Sequence, residues 1–145
     1  MTFANGLPLA AMNGMADIIA TVSHTWISST LAMESMTLTA ALTTLAVYES
    51  EPVCTHLHRV GTRLLHGLHR LQREHRQVAT SVGGVAEMCF LHFASEDLSS
   101  RVAVECARRG LLFKRTAYNF VSYAHTESDV DQALAILGEA LKAAC

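Results

Sequence analysis

The first lysine or arginine in this chain is Arg59. Residues 1–58 carry Asp17, Glu34, Glu49 and Glu51 and no Lys or Arg, a net charge of −4, while residues 59–145 hold all eleven basic residues against nine acids, a net of +2. This division constrains the fold more than the total charge does. The first part is too apolar to form the outer surface of a separate domain and reads as a segment built to lie against something larger. The second part has the charges a solvated surface needs and is expected to be the more self-sufficient unit. The change falls near Pro52. With 145 residues, 50% hydrophobic and 17% charged, the chain is domain-sized. A chain of this length buries about 68–70% of its unfolded surface. Eight Gly and two Pro exclude collagen-like and low-complexity chains, and the apolar content excludes disorder. Asp17 interrupts the longest early apolar stretch, so no run approaches the ~18 residues of a membrane span. Residues 1–11 lack the basic start of a secretory leader. A cytosolic location is expected.

Turn and periodicity signals divide the chain further. Asn5-Gly6 and Asn13-Gly14 bracket Leu7 to Met12, which reads as a short buried strand. A short helix from about Met15 to Val22 follows, then a hydroxyl-rich loop, Ser23 to Thr30. Met36, Leu38, Ala41, Leu42, Leu45 and Val47 predict a helix over 34–49 that is apolar nearly all round and therefore buried. Ser50-Glu51-Pro52 is a break, with Pro52 placed to open the next helix, 53–76. That helix is amphipathic, with a stripe at Leu57, Val60, Leu64, Leu68 and Leu71. After Ser81-Val82-Gly83-Gly84, Val85 to Phe93 reads as a strand covered on both faces. Ser95 or Ser99 opens a helix that stops at Gly110. Leu111–Lys114 and Tyr118–Ala124 read as strands, and Thr126 with Asp129 caps a last helix along Val130, Leu134, Leu137 and Leu141. The second half is thus helix, strand, helix, strand, strand, helix: an α/β chain with a two-layer α+β C-terminal domain.

Several residue groups suggest chemistry. His66 and His69 share a helix face with His56 and His58 nearby, but no Cys or carboxylate at ligand spacing completes a metal set, and arginines surround them. No metal is expected. Arg59, Arg63, Arg70, Arg73 and Arg76 form a basic stripe without interleaved aromatics in an acidic chain, which reads as a solvated face rather than a nucleic-acid surface. Cys89 and Cys106 read as inert core thiols, and no disulfide framework is expected of Cys54, Cys89, Cys106 and Cys145. Trp26 reads as a packing anchor and His125 as a structural partner at a helix start. Lys114 and Arg115 fit two readings, a pair orienting a substrate anion or strand-end cations with their stems on the sheet.

Asn5-Gly6-Leu7-Pro8-Leu9-Ala10-Ala11, then Thr25-Trp26-Ile27-Ser28-Ser29-Thr30, then Glu34 and its Leu/Ala/Thr-rich helix resemble the class III pyridoxal-phosphate aminotransferases. The stretch from Phe113 to Glu127, with Lys114-Arg115-Thr116-Ala117-Tyr118-Asn119-Phe120, is similar to the closing segment of their glutamate-1-semialdehyde aminomutase branch. The resemblance spans the chain and corresponds to the C-terminal third of such an enzyme. It implies that residues 1–50 are the end of the cofactor domain and a connecting helix, and that residues 51–145 are the small domain. It further implies pyridoxal 5'-phosphate as cofactor, a small-molecule amino donor and acceptor, and a homodimer. In that dimer Thr30, with Ser29 beside it, would reach the phosphate of the neighbouring subunit's cofactor. The family's Schiff-base lysine lies four residues before the Asn of its Asn-Gly-x-Pro motif. Here that position is Met1. The resemblance therefore implies no catalytic residue in this chain and negligible amino transfer by it alone. A non-catalytic dimerisation or interaction module is the alternative.

Overall fold

The computed structural model describes residues 6–26 and 34–144. The chain forms two compact units, residues 1–52 and 53–145.

In the first unit, helix α1 (Ala16–Ala20) runs into a 3-10 turn (Thr21–His24), and α2 spans Ser35–Ser50. The strand expected over Leu7–Met12 is not formed: only Leu7 makes an isolated bridge, and the run beyond it is irregular and largely exposed. Glu34 starts α2 by accepting from the amides of Met36 and Thr37 at 3.0 and 2.5 Å. Within the helix, Thr39, Thr43 and Thr44 donate their hydroxyls to the carbonyls of Ser35, Thr39 and Ala40. These bonds satisfy the hydroxyls locally and leave the helix with no polar side. The expectation that α2 is buried fails, because only Thr37 and Ala41 are buried while Met36 and Leu42 are 66% and 68% exposed. An all-round apolar helix needs neighbours on every side, and its own unit supplies only α1 and one turn among the described residues. Trp26, expected to be a packing anchor, is 92% exposed among the described residues.

The second unit is a helical layer on a three-stranded antiparallel sheet of order β1-β2-β3. Its elements are α3 (Val53–Glu74), β1 (Ala79–Val85), β2 (Met88–Phe93), α4 (Glu96–Arg108), β3 (Asn119–Phe120) and α5 (Glu127–Ala144). Val60, Leu68 and Leu71 of α3 meet Val102 and Cys106 of α4, Leu134, Leu137 and Leu141 of α5, and Cys89 and Leu91 of the sheet in one core. Burial pushes the thiols of Cys89 and Cys106 up to about 11, which makes them poor nucleophiles at neutral pH. Cys54, Cys89 and Cys106 are free.

The strand expected over Val85–Phe93 is two: Val85 ends strand β1, which runs back through Ser81–Gly84, and the two residues Ala86 and Glu87 turn the chain into β2. Gly83 lies across from Phe90, whose ring occupies the space a Cβ would fill. The glycine therefore serves cross-strand packing by the aromatic ring. Gly84, at φ +99°, closes the approach to Met88 in the same hairpin. Strand β2 is covered on one face only: Cys89 and Leu91 face the helices, and His92 is exposed. Of the two later strands expected, only Asn119–Phe120 forms, paired with Met88 and Cys89. At Lys114 the Asn119 side chain takes the place of a ladder partner, since it accepts from the Lys114 amide at 2.8 Å and donates to the Lys114 carbonyl at 3.1 Å. It uses up the backbone groups a ladder would need. The expected capping box is present, with Thr126 Oγ1 accepting from the Asp129 amide at 3.2 Å and Asp129 accepting from the Thr126 amide at 2.8 Å. His125 has the structural role expected of it, its Nδ1 accepting from the Ser122 amide at 2.9 Å.

Candidate functional site

The open face of β2 and the loop after α4 line a shallow, open cavity of about 190 Å³. Strand alternation puts Phe90 and His92 on this face, opposite Cys89 and Leu91. Phe90 packs edge-on against His92 at 4.7 Å and against Tyr118 at 4.9 Å between ring centroids. The Asn119 bonds to Lys114 hold the loop in a tight turn, and Arg115 lies inside that turn among the residues that line the cavity.

The guanidinium of Arg115 is held from behind by α4. Ser95 caps that helix by accepting from the Leu98 amide at 3.2 Å, which places Glu96 and Ser99 in its first turn. Arg115 Nη1 donates to Ser99 Oγ at 3.3 Å and lies 3.6 Å from Glu96 Oε1. Glu96 is largely exposed, so the pair orients the guanidinium without neutralising it strongly. The remaining N–H groups of the planar fork suit a carboxylate or phosphate. Lys114 does not join it: its Nζ lies over the Phe120 ring, 6.0 Å from the centroid, and the residue is not part of the cavity wall. Of the two candidate substrate-binding residues, the fold brings Arg115 to a cavity and leaves Lys114 beside it. Ser29 and Thr30, the candidate phosphate ligands, lie outside the described residues. The aromatic wall of Phe90, His92 and Tyr118 was not anticipated, although the alternation of Phe90 and His92 with Cys89 and Leu91 carries the signal.

Helices packed on a three-stranded antiparallel sheet make this a mixed helix and sheet fold, and the comparisons with known proteins place it in a family. A sequence model of the family described as Aminotransferase class-III matches residues 2–141. The chain belongs to that family. It is 32% identical to the glutamate-1-semialdehyde 2,1-aminomutase of Sorangium cellulosum (strain So ce56), covering 95% of this chain and 35% of that enzyme. It is 26% identical to the 5-aminovalerate aminotransferase DavT of Pseudomonas aeruginosa, covering 92% of this chain and 34% of that enzyme. Its fold matches the FumI protein of Sphingopyxis sp. MTA144, solved as a pyridoxal-phosphate internal aldimine, with a TM-score of 0.84 at 26% identity over 97% of this chain and 34% of that one. The chain thus spans about a third of the length of the relatives it matches.

Membership of this family implies dependence on pyridoxal phosphate. The cofactor's covalent attachment requires a neutral lysine amine. The sequence contains two lysines, Lys114 and Lys142. Lys142 Nζ donates to Glu139 Oε1 at 2.8 Å, and that carboxylate raises the amine's pKa and keeps it charged. Lys114 sits over a ring outside the cavity. Neither lysine lines the Arg115 cavity.

Proposed function

We propose that these residues are the C-terminal part of a pyridoxal-phosphate-dependent aminotransferase or aminomutase, supplying substrate and phosphate contacts but no Schiff-base amine. Residues 1–50 are the end of the cofactor domain with a connecting helix, and residues 51–145 are the small domain. Arg115, held by Ser99 and Glu96, receives a carboxylate of the amino donor or acceptor against the ring wall of Phe90 and Tyr118. Lys114 adds long-range attraction for the same anion. Ser29 and Thr30 hydrogen-bond the cofactor phosphate of the neighbouring subunit in a homodimer. The family's lysine position falls on Met1, so the chain by itself does not transfer amino groups. The observation that carries this reading is Arg115 presented, incompletely paired, at an aromatic cavity in a chain that matches aminotransferase relatives along nearly its whole length.

The test is an absorbance spectrum of the purified chain with equimolar pyridoxal phosphate, followed by borohydride reduction and intact-mass analysis. The expected result is no internal-aldimine band and no stoichiometric single-site adduct, with no steady amino transfer to 2-oxoglutarate. A stoichiometric adduct at Lys114 or Lys142 would mean that the chain builds its own cofactor site.

A second reading, an interaction module, is favoured by α2, which exposes Met36, Leu38, Leu42 and Leu45 together. It requires self-association or a partner, and a monomer by sedimentation velocity at all concentrations would count against self-association.

A further inference from the structure

The groove where α3 crosses α5 is a second cavity, of about 500 Å³, that takes no part in the function proposed above. Its floor is apolar and close-packed. Gly67 faces Leu134 so tightly that an added Cβ would collide with the leucine side chain. Its rim is charged. Arg63 makes a two-point bond to Asp131, Nε to Oδ1 at 2.6 Å and Nη2 to Oδ2 at 2.7 Å, and both Arg63 and Arg59 pair with Glu127. The Arg63 bond holds the Asp131 carboxyl below its usual range. Two carboxylates therefore answer two of the three guanidinium groups that line the groove, leaving one positive charge.

The remaining guanidinium is Arg70. Among the described residues it makes no hydrogen bond or ion pair, and neither does the His66 ring or the Thr62 hydroxyl, although all three line the groove. Asp131 feels the charge of Arg70 without bonding to it. Spaced by four, Thr62, His66 and Arg70 form one row on α3, each about 6 Å from the next. Two donors one turn apart suit a tetrahedral anion between them, with the planar fork of Arg70 taking two of its oxygens and an imidazole N–H a third. The volume exceeds what a bare phosphate needs, and the floor of Gly67 and Leu134 offers the surplus to an apolar body that ends near the Thr62 hydroxyl. Glu127 and Asp131 on the rim repel an extended polyanion and confine the attraction to one end.

We propose that this groove binds a small phosphate monoester, its phosphate on Arg70 and His66 and its body on Gly67 and Leu134. The site is independent of the Arg115 cavity and does not rest on the function proposed there.

The experiment titrates the full 145-residue chain with phenyl phosphate and with inorganic phosphate at constant ionic strength, by calorimetry and by the ring-proton resonances of the histidines. Saturable one-to-one binding of phenyl phosphate, tighter than inorganic phosphate and accompanied by a shift of the His66 resonance, is the expected result. Arg70 is exposed, so R70Q should fold normally. It is expected to weaken phenyl phosphate by about tenfold or more. H66Q should weaken it less, and R115Q should leave it unchanged. Non-saturating titrations, unchanged affinity in R70Q with its circular dichroism intact, or binding confined to oligonucleotides or polyphosphate would overturn the assignment. Loss of binding in R115Q but not in R70Q would also overturn it, by moving the anion to the other cavity.

Discussion

Helices α2 and α3 stand on either side of Pro52 and show opposite ways of using apolar residues. In α2 the apolar side chains point all round, Thr39, Thr43 and Thr44 bond back to the helix's own carbonyls, and only Thr37 and Ala41 are buried. In α3 a single stripe enters a core in which Val60 and Leu68 have no exposure, while the histidines and arginines face outward. The polar face of α3 is also bonded to its surroundings. His58 meets Glu87 at the β1–β2 turn, His56 Nε2 lies 2.9 Å from the His125 carbonyl, and Arg63 clasps Asp131 of α5. The difference teaches that high helical propensity and high apolar content do not make a helix part of a core. An apolar face needs complementary surface, and among the described residues only those of 53–145 carry their own.

Cutting the chain at Pro52 should give the largest contrast. Residues 53–145 alone are expected to unfold in one cooperative thermal transition, whereas residues 1–52 alone should show none, because their described residues bury too little to offset chain entropy. A cooperative transition in the isolated first piece would break the comparison. Core truncation comes next. Leu68→Ala, at a fully buried position, should cost about 2–5 kcal/mol in urea denaturation. Leu42→Ala in α2 should stay within about 0.5 kcal/mol. Equal losses would mean that α2 has a hidden packing partner.

The same contrast explains what could be read from the sequence. The helices of residues 53–145 are legible because each has an apolar stripe and two carry end signals: Ser95 before α4, Gly110 at φ +85° after it, and the Thr126–Asp129 box before α5. Strand β1 was not legible, since Gly83 and Gly84 signal a turn unless the Phe90 ring across the ladder is known. The later strands were overestimated because propensity gives no sign that Asn119 would take the backbone groups of Lys114. The exposure of α2 is not legible for a different reason: periodicity reports what a helix is built to touch, not whether the partner is present. At the candidate site, Arg115 was legible as a cation near the end of the sheet. Its orientation by Ser99 and Glu96, and the separation of Lys114 from it, depend on a packing between α4 and the loop that no local pattern encodes.

Helix caps sharpen the comparison at smaller magnitude. Thr126→Ala removes the hydroxyl that accepts from the Asp129 amide at the start of α5. The substitution should cost about 1 kcal/mol in the denaturation of the chain, because α5 is an integral part of the core. Ser95→Ala at the start of α4 should behave alike. Loss of the Glu34 cap by Glu34→Ala should leave the main unfolding transition where it was and lower only the helical signal of α2. A shift of the main transition by Glu34→Ala would tie α2 to the core after all.

The mildest test is acid. Bonds to the Thr126 amide and hydroxyl lower the pKa of Asp129, and bonds to the Thr37 hydroxyl and amide lower that of Glu34. A carboxylate whose pKa is lower folded than unfolded contributes stability that is fully present above its unfolded value. That contribution is lost as pH falls through the folded value. Unfolded values lie near 3.9 for Asp and about 4.3 for Glu, so both caps should be intact at neutral pH and begin to fail below about pH 4. Their readouts should differ. Protonation of Asp129 weakens the start of a core helix and should move the main transition, whereas protonation of Glu34 should appear as a loss of helical circular dichroism with the core transition unmoved. Asp129→Asn, which retains an acceptor but does not titrate, should remove part of the acid dependence of the main transition and none of the helical loss in α2. If both signals fall together with one midpoint in the parent chain and in Asp129→Asn, the two helices form one cooperative unit and their contrast does not reflect separate stabilities.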